Sequence, residues 1–345
     1  MEVVIQRDSF PQLLEKLNRY NIWLPRKNGD YWEFKLSRGK ESLDKKYTNT
    51  KLSPKKFVLP QTETLFQITE GENGKFNIDE KQKKDSLDIV FGIRPCDGVA
   101  LSHLDKVFLN SFKDPYYSKK RDNTVFIGLA CETPPFENCS CTTMGESPFS
   151  TKGLDILLKD IGDRYIVEYI TDKGKKLFSG FPNLFGKITT KDKESLEKIK
   201  KESNKKIKKR VEDLSETTKK LDIMFDSDLW FHESQSCINC GICTYLCPSC
   251  HCFDINDEQL SKKPLNVKRV RTWDNCQFPI FTMHSSGHNP RPDKQSRYRR
   301  RIYHKFSYFY KTEGEHLCTG CGRCSNYCPA GINIFETLQK VAEYE

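Results

Sequence analysis

Two stretches of the chain share one spacing: Cys237-Ile-Asn-Cys240-Gly-Ile-Cys243-Thr-Tyr-Leu-Cys247-Pro248 and Cys318-Thr-Gly-Cys321-Gly-Arg-Cys324-Ser-Asn-Tyr-Cys328-Pro329 both read C-x2-C-x2-C-x3-C-P. A cubane iron–sulfur cluster takes four thiolates at the corners of a tetrahedron, so three closely spaced cysteines wrap three irons and a fourth arrives from elsewhere. In two-cluster ferredoxins the last cysteine of each run serves the other cluster. The expected ligand sets are Cys237, Cys240, Cys243 and Cys328 for one [4Fe-4S] cluster and Cys318, Cys321, Cys324 and Cys247 for a second. Gly241 and Gly322 let the backbone curl close to the sulfides, and Pro248 and Pro329 turn it away after the last ligand. Zinc ribbons also use C-x2-C pairs, but two complete copies of the longer pattern favour clusters.

Seven further cysteines bring the total to 15. Four lie early, in Arg94-Pro-Cys96-Asp97, Leu129-Ala-Cys131-Glu132 and Cys139-Ser-Cys141. Cys96 and Cys131 each follow a predicted strand, which puts them where the loops of an open α/β sheet converge on ligands. By spacing alone these four either hold a third cluster or stand as buried or isolated thiols. Cys250, Cys252 and Cys276 remain. They form either an extra metal or redox site, completed by His251, His284 or His288, or a set of buried thiols donating weak S–H bonds beside the clusters. The second reading is preferred, because three thiols without a fourth ligand make a poor cubane site.

The segment Arg291 to Tyr310 interleaves bases with aromatics. That pattern superficially suits nucleic acid. A cluster with four thiolates carries net negative charge, however, so cations and aromatic cover beside it are the better account. Arg94, Arg297, Arg299, Arg300 and Arg301 are the candidate tuners of cluster potential, and no residue stands out as a catalytic acid or base. The chain has neither G-x-G-x-x-G nor G-x-x-x-x-G-K-[ST], and no separate pair of C-x2-C motifs is left to hold nickel. Flavin, nucleotide and any substrate-reducing centre are therefore expected on partner subunits.

These motifs need a scaffold, and 345 residues suffice for two domains. Helical spacing marks Gln12 to Leu17 and Val99 to Leu109. Short β-branched and aromatic runs at Lys56–Leu59, Asp88–Ile93, Asn123–Leu129 and Tyr165–Ile170 read as strands, and a helix crossing between two of them predicts a partly parallel sheet. From about Thr190 to Lys220 the composition turns to Lys and Glu. Leu196, Ile199, Ile207, Val211 and Leu214 form a narrow apolar stripe there, the mark of an amphipathic helix or helix pair. The expected organisation is an α/β domain over residues 1–186 with a [4Fe-4S] site, a lysine-rich helical linker over 187–225, and a mainly α-helical two-cluster ferredoxin domain over 226–345. No apolar run nears the roughly 18 residues of a membrane span. The first residues lack the features of a secretory signal, so a cytoplasmic, reducing compartment is expected, where cysteines serve metals rather than disulfides. The net charge of +10 suits an acidic partner but is concentrated in the lysine-rich stretch.

Taken together, Ser53-Pro-Lys55, Leu59-Pro-Gln-Thr-Glu-Thr-Leu-Phe66, Arg94-Pro-Cys96-Asp97, Asp114-Pro-Tyr-Tyr117, Cys139-Ser-Cys141, Cys247-Pro-Ser-Cys250-His-Cys252-Phe-Asp254, Trp273-Asp-Asn-Cys276 and Gly287-His-Asn-Pro-Arg291 resemble the iron–sulfur β subunits of sulfhydrogenases. They also resemble the corresponding iron–sulfur subunit of anaerobic sulfite reductase and its relatives in heterodisulfide-reductase-linked flavin oxidoreductase complexes. The resemblance runs from about residue 50 to residue 335, with Arg94-Pro95 nearer the hydrogenase branch. It implies a third cluster at Cys96, Cys131, Cys139 and Cys141. It also implies an electron relay between a flavoprotein that handles NAD(P)H and a separate catalytic subunit of the nickel–iron hydrogenase type. Ser140 is a departure, standing where related chains often carry an aromatic residue.

Overall fold

The computed structural model describes residues 2–37, 39, 41–80 and 86–344. Its larger sheet has seven strands in the order β1-β9-β8-β7-β6-β2-β3. These are β1 (Glu2–Gln6), β2 (Asn21–Asn28), β3 (Tyr31–Leu36), β6 (Asp88–Ile93), β7 (Thr124–Leu129), β8 (Ile156–Asp160) and β9 (Arg164–Tyr169). The central four, β2, β6, β7 and β8, run parallel, and the outer strands pair antiparallel. Side chains alternate across a strand, so Ile89 and Phe91 face one core with Phe10, Leu13, Leu14 and Phe178 while Val90 faces the other with Leu101, Leu104 and Tyr117. Burial on both faces explains why β6 and β7 read as continuous apolar runs. The helix Pro95–Leu109 crosses from β6 to β7 as its spacing predicts.

Lys56–Leu59 is not a strand. Pro54 starts a 3-10 turn over Pro54–Phe57, where its fixed φ is accommodated and its missing N–H costs nothing. The buried side chain of Lys55 leaves that turn toward the cysteine-rich part of the chain.

The lysine-rich stretch is a helix pair, Thr190–Lys206 and Leu214–Ile223. Thr189 and Asp192 cap the first helix reciprocally, each side chain bonding the other's backbone N–H. Along the pair, Leu196, Ser203, Ile207, Val211 and Leu221 are buried while most lysines stay in water.

The region after residue 226 is only partly helical, which corrects the expectation of a mainly α-helical unit. Between the two cysteine motifs lies a hairpin, β10 (Phe253–Lys262) and β11 (Leu265–Trp273). β11 pairs antiparallel with β4 (Thr62–Glu70), which pairs in turn with β5 (Phe76–Asp79). A four-stranded sheet is thus shared by chain segments about 200 residues apart. Arg271 on β11 sits at its root, buried, donating to Glu63 at 2.8 Å and to Asp114 at 2.6 Å. Around the motifs, the short helix Ile242–Tyr245 packs against Arg323–Asn326, and Leu229–Ser234, Lys294–Tyr303 and Ile334–Glu343 supply Trp230, Ile302, Phe335 and Leu338 to an apolar core that Phe306 joins. No helix among the described residues is long and apolar enough to cross a membrane.

Candidate iron–sulfur centres

The two cysteine runs adopt one backbone shape. Asn239 and Gly241 in the first run, and Gly320 and Gly322 in the second, all take positive φ, and each run then enters its four-residue helix. Left-handed residues at these places turn the chain around an interior point and aim successive cysteine side chains at it. At Gly320 no side chain fits: a Cβ would lie 2.4 Å from the carbonyl of Ser140.

Two adjoining cavities result. Cys237, Cys240 and Cys243 line the first together with Cys324 and Cys328. Cys318, Cys321 and Cys324 line the second together with Cys247. Each cavity therefore holds the first three cysteines of one run and the last cysteine of the other, and Cys324 touches both. Among the described residues no group of three or more His, Cys, Asp or Glu side chains is arranged around a single metal ion; the thiols surround cavities instead. Thr319, between Cys318 and Gly320, lines the second cavity, and its buried Oγ1 has no partner among the described residues. Thiolate donors, adjacent N–H-rich turns and a spare hydroxyl suit a sulfide-bearing cluster.

Burial pushes the Cys243 and Cys318 thiols up to about 12 and Cys321 up to about 11. Cations are placed against this group. Lys305, in the π-helical stretch His304–Tyr308, is buried with Nζ 3.2 Å from Cys247 Sγ and 3.3 Å from Ser249 Oγ. Burial alone would lower its pKa, but the charges of Cys247 and Cys250 outweigh that and raise it. Arg301 donates to the Cys243 carbonyl at 2.8 Å and approaches Cys250 Sγ at 3.7 Å. Lys55 donates to the Cys250 carbonyl at 2.9 Å and lies over the Trp273 ring.

The arginine candidates divide by helix face. Arg301 faces the thiols, and Arg297 is buried beside Asn239 of the first run, donating mainly to the carbonyls of Arg291 and Pro292. Arg299 stacks on Phe225, donates to its carbonyl and pairs with Asp226, while Arg300 lies over Tyr308. Neither of these last two reaches a cysteine. Lys305 and Lys55 are the cations that sequence reasoning passed over. The signal for Lys305 was a basic residue inside an otherwise aromatic turn.

Cys96 and Cys131 lie at the carboxyl ends of β6 and β7, and Cys139 and Cys141 follow in the next loop. Cys96, Cys139 and Cys141 each feel the charge of Cys131, and Cys96 and Cys139 also feel Cys321 of the second cavity. The contact is direct: Ser140 N–H donates to the Gly320 carbonyl at 2.8 Å, and Cys139 Sγ lies 3.7 Å from the Cys321 carbonyl. Ser140 is fully buried there, with its hydroxyl donating to the Lys208 carbonyl at 3.2 Å, so an aromatic side chain has no room. The lysine-rich segment closes over this loop. Ser203 donates to the Cys131 carbonyl, and Arg210 N–H to Thr143 Oγ1 at 2.9 Å. Arg94 is buried under Cys131, donating to the carbonyls of Tyr47, Leu129 and Ala130.

Arg323 was also missed. It occupies the place in the second run that Ile242 occupies in the first, and this break in an otherwise close repeat was its signal. Fully buried, it donates to both oxygens of Asp97, to the Thr50 carbonyl and to Asn49.

Cysteine-lined paired cavities of this kind define a ferredoxin-type iron–sulfur protein, and residues 236–332 match the family model of a 4Fe-4S dicluster domain. Over 344 residues the chain is 30% identical to sulfhydrogenase 2 subunit β of Pyrococcus furiosus, covering 99% of this chain and 98% of that one. The chain belongs to the family of iron–sulfur β subunits of sulfhydrogenases, and it is an iron–sulfur electron-transfer protein. No solved structure matches it.

Proposed function

We propose that the protein is the electron-relay subunit of a cytoplasmic redox complex, linking a flavoprotein that handles NAD(P)H to a catalytic subunit of the hydrogenase type. Bound [4Fe-4S] groups supply reversible one-electron storage. Two would be held by the crossed sets Cys237, Cys240, Cys243, Cys328 and Cys318, Cys321, Cys324, Cys247, and a third by Cys96, Cys131, Cys139 and Cys141. The observation that carries this reading is continuity: the first cavity adjoins the second through Cys324, and the second abuts the loop of Cys139 and Cys141 through the Ser140–Gly320 hydrogen bond.

The chain's own residues would do three things. They would hold the three sites in a row within the α/β part and the ferredoxin-like part. With Lys305, Arg301 and Arg94 they would offset the negative charge of the sites, and with Trp230, Phe306 and Phe335 they would keep water away. Cys240 is exposed, unlike the thiols of Cys131, Cys139, Cys141, Cys247 and Cys321. This makes the first cavity the natural end for exchange with one partner. The sulfhydrogenase relative supports the hydrogenase branch over the sulfite reductase branch.

The test is iron and acid-labile sulfide per chain on anaerobically purified protein, with electron paramagnetic resonance of the reduced state. About twelve irons per chain support three cubanes. About eight would remove the third site from the relay, and zinc in place of iron would sink the reading.

A further inference from the structure

Cys250, Cys252 and Cys276 lie outside the crossed sets, and they are not equivalent to one another. Cys250 is buried, hydrogen-bonded to Cys247 and facing Arg301, so it belongs to the surroundings of the second cavity. Cys252 and Cys276 face each other. They bracket the hairpin, whose base is closed by the Phe253–Trp273 pair and by Asp274 N–H donating to the Cys252 carbonyl at 3.0 Å. The Cys276 N–H donates to the Cys252 sulfur, and the two thiols share a hydrogen bond. The remaining partners of Cys276 Sγ are Thr244 Oγ1 and Gln277 Nε2, each at 3.4 Å. Both cysteines are only partly covered, which leaves them within reach of small thiols. The Cys252 hydrogen bond, helped by Arg301 and opposed by burial, holds the Cys276 thiol well below its usual pKa, the character of an attacking sulfur.

We propose that Cys252 and Cys276 form a redox-active dithiol, a two-electron centre that closes to a disulfide beside the cysteine-lined cavities. Oxidation breaks two S–H bonds, forms one S–S bond between the two Sγ atoms, and releases two protons and two electrons; reduction reverses this. The charge of Cys276 is felt by Cys243, which lines the first cavity. Electrons leaving the pair one at a time therefore have one-electron carriers next to them, a clause that rests on the iron–sulfur reading above. The thiol pair itself does not depend on that reading. With a small disulfide as oxidant the balance is also complete: the dithiol closes and the small disulfide leaves as two thiols. The hairpin gains a covalent tie at its base, so its strands and their partner β4 would be held more rigidly in the oxidised state.

The experiment equilibrates the anaerobic iron-loaded protein with graded ratios of oxidised to reduced glutathione. Free thiols are trapped with iodoacetamide after acid quenching, and peptides are read by mass spectrometry. The expected result is a cross-link between Cys252 and Cys276 that rises with the oxidised fraction and reverses on reduction, with iron per chain unchanged. Cys252→Ser and Cys276→Ser should each lose the cross-link and keep the parent's iron content. Failure to cross-link at any ratio overturns the proposal, as does loss of about four irons in Cys252→Ser, which would make that thiol a cluster ligand. A parent that holds no iron yet forms the cross-link supports the dithiol and overturns the cluster reading, so the two failures are distinct. The parent assay needs no variant, and Cys252→Ala replaces Cys252→Ser if the latter does not fold.

Discussion

Arg323 donates to both carboxylate oxygens of Asp97, with Nη2 3.0 Å from Oδ2, and neither side chain is exposed. Arg323 stands between Cys321 and Cys324, and Asp97 follows Cys96. The pair therefore binds the second ferredoxin-type run to the cysteine group at the end of β6. A buried ion pair is worth little over a well-packed apolar pair, but leaving one partner alone is expensive. Asp97→Asn is expected to lower unfolding stability by about 3–5 kcal/mol. Glu197→Gln, which breaks the exposed Lys200–Glu197 pair, should leave stability nearly unchanged. Denaturant titrations of these two variants, of Arg323→Met and of Asp97→Asn/Arg323→Met decide the matter. A double variant as unstable as the sum of the singles would show that the two side chains do not act as a pair.

Crossed ligation has its own signature. Cys328→Ser and Cys237→Ser should remove the same resonance and about four irons each, while Cys247→Ser should group with Cys318→Ser. Grouping of Cys247→Ser with Cys237→Ser instead would mean that each run closes its own site.

Lys305 lies 3.2 Å from Cys247 Sγ in a buried setting. Reduction adds negative charge there, which the ammonium stabilises. Lys305→Gln is expected to lower the midpoint potential of the site served by Cys247 by on the order of 50–100 mV, at about 1.4 kcal/mol per 59 mV for one electron. A potentiometric titration followed by electron paramagnetic resonance measures this. An unchanged or raised potential removes Lys305 from the role of tuner.

Much of the site was legible because ligand chemistry imposes spacing. The pairing of Cys237–Cys243 with Cys328, and of Cys318–Cys324 with Cys247, at two adjoining cavities could be written down from the runs and one rule of ferredoxin architecture. The parallel core was legible for a related reason: β6 and β7 are covered on both faces, so their apolar runs are unbroken. The hairpin between the runs was not. Phe253–Lys262 is almost wholly exposed and carries no apolar alternation, since what holds it is backbone pairing with β11 and, through it, with β4 far away in the chain. Lys56–Leu59 failed for the opposite reason, because its apolar residues suit a strand while Pro54 and the burial of Lys55 impose a turn. Arg299 and Arg301 are two residues apart on one helix, so composition could nominate both, but only helix phase puts Arg301 against the thiols.

Two neighbouring histidines set a dependence on pH. The rings of His251 and His304 are 5.5 Å apart. Burial pushes His251 down to about 4, and burial together with the charges of His251 and Lys305 pushes His304 down to about 3. Unfolded histidines titrate near pH 6.5. Below that value the unfolded chain takes up protons that the folded chain refuses. The contribution of these groups to stability is thus fully present above about pH 6.5 and is lost as the pH falls toward 4. The slope should approach, at most, about 1.4 kcal/mol per pH unit for each histidine. Denaturation midpoints should change little between pH 7.5 and 6.5 and fall between 6.5 and 5.5 for the parent, and fall less for His304→Gln. Equal slopes in parent and variant would mean that His304 is already free to protonate in the folded protein.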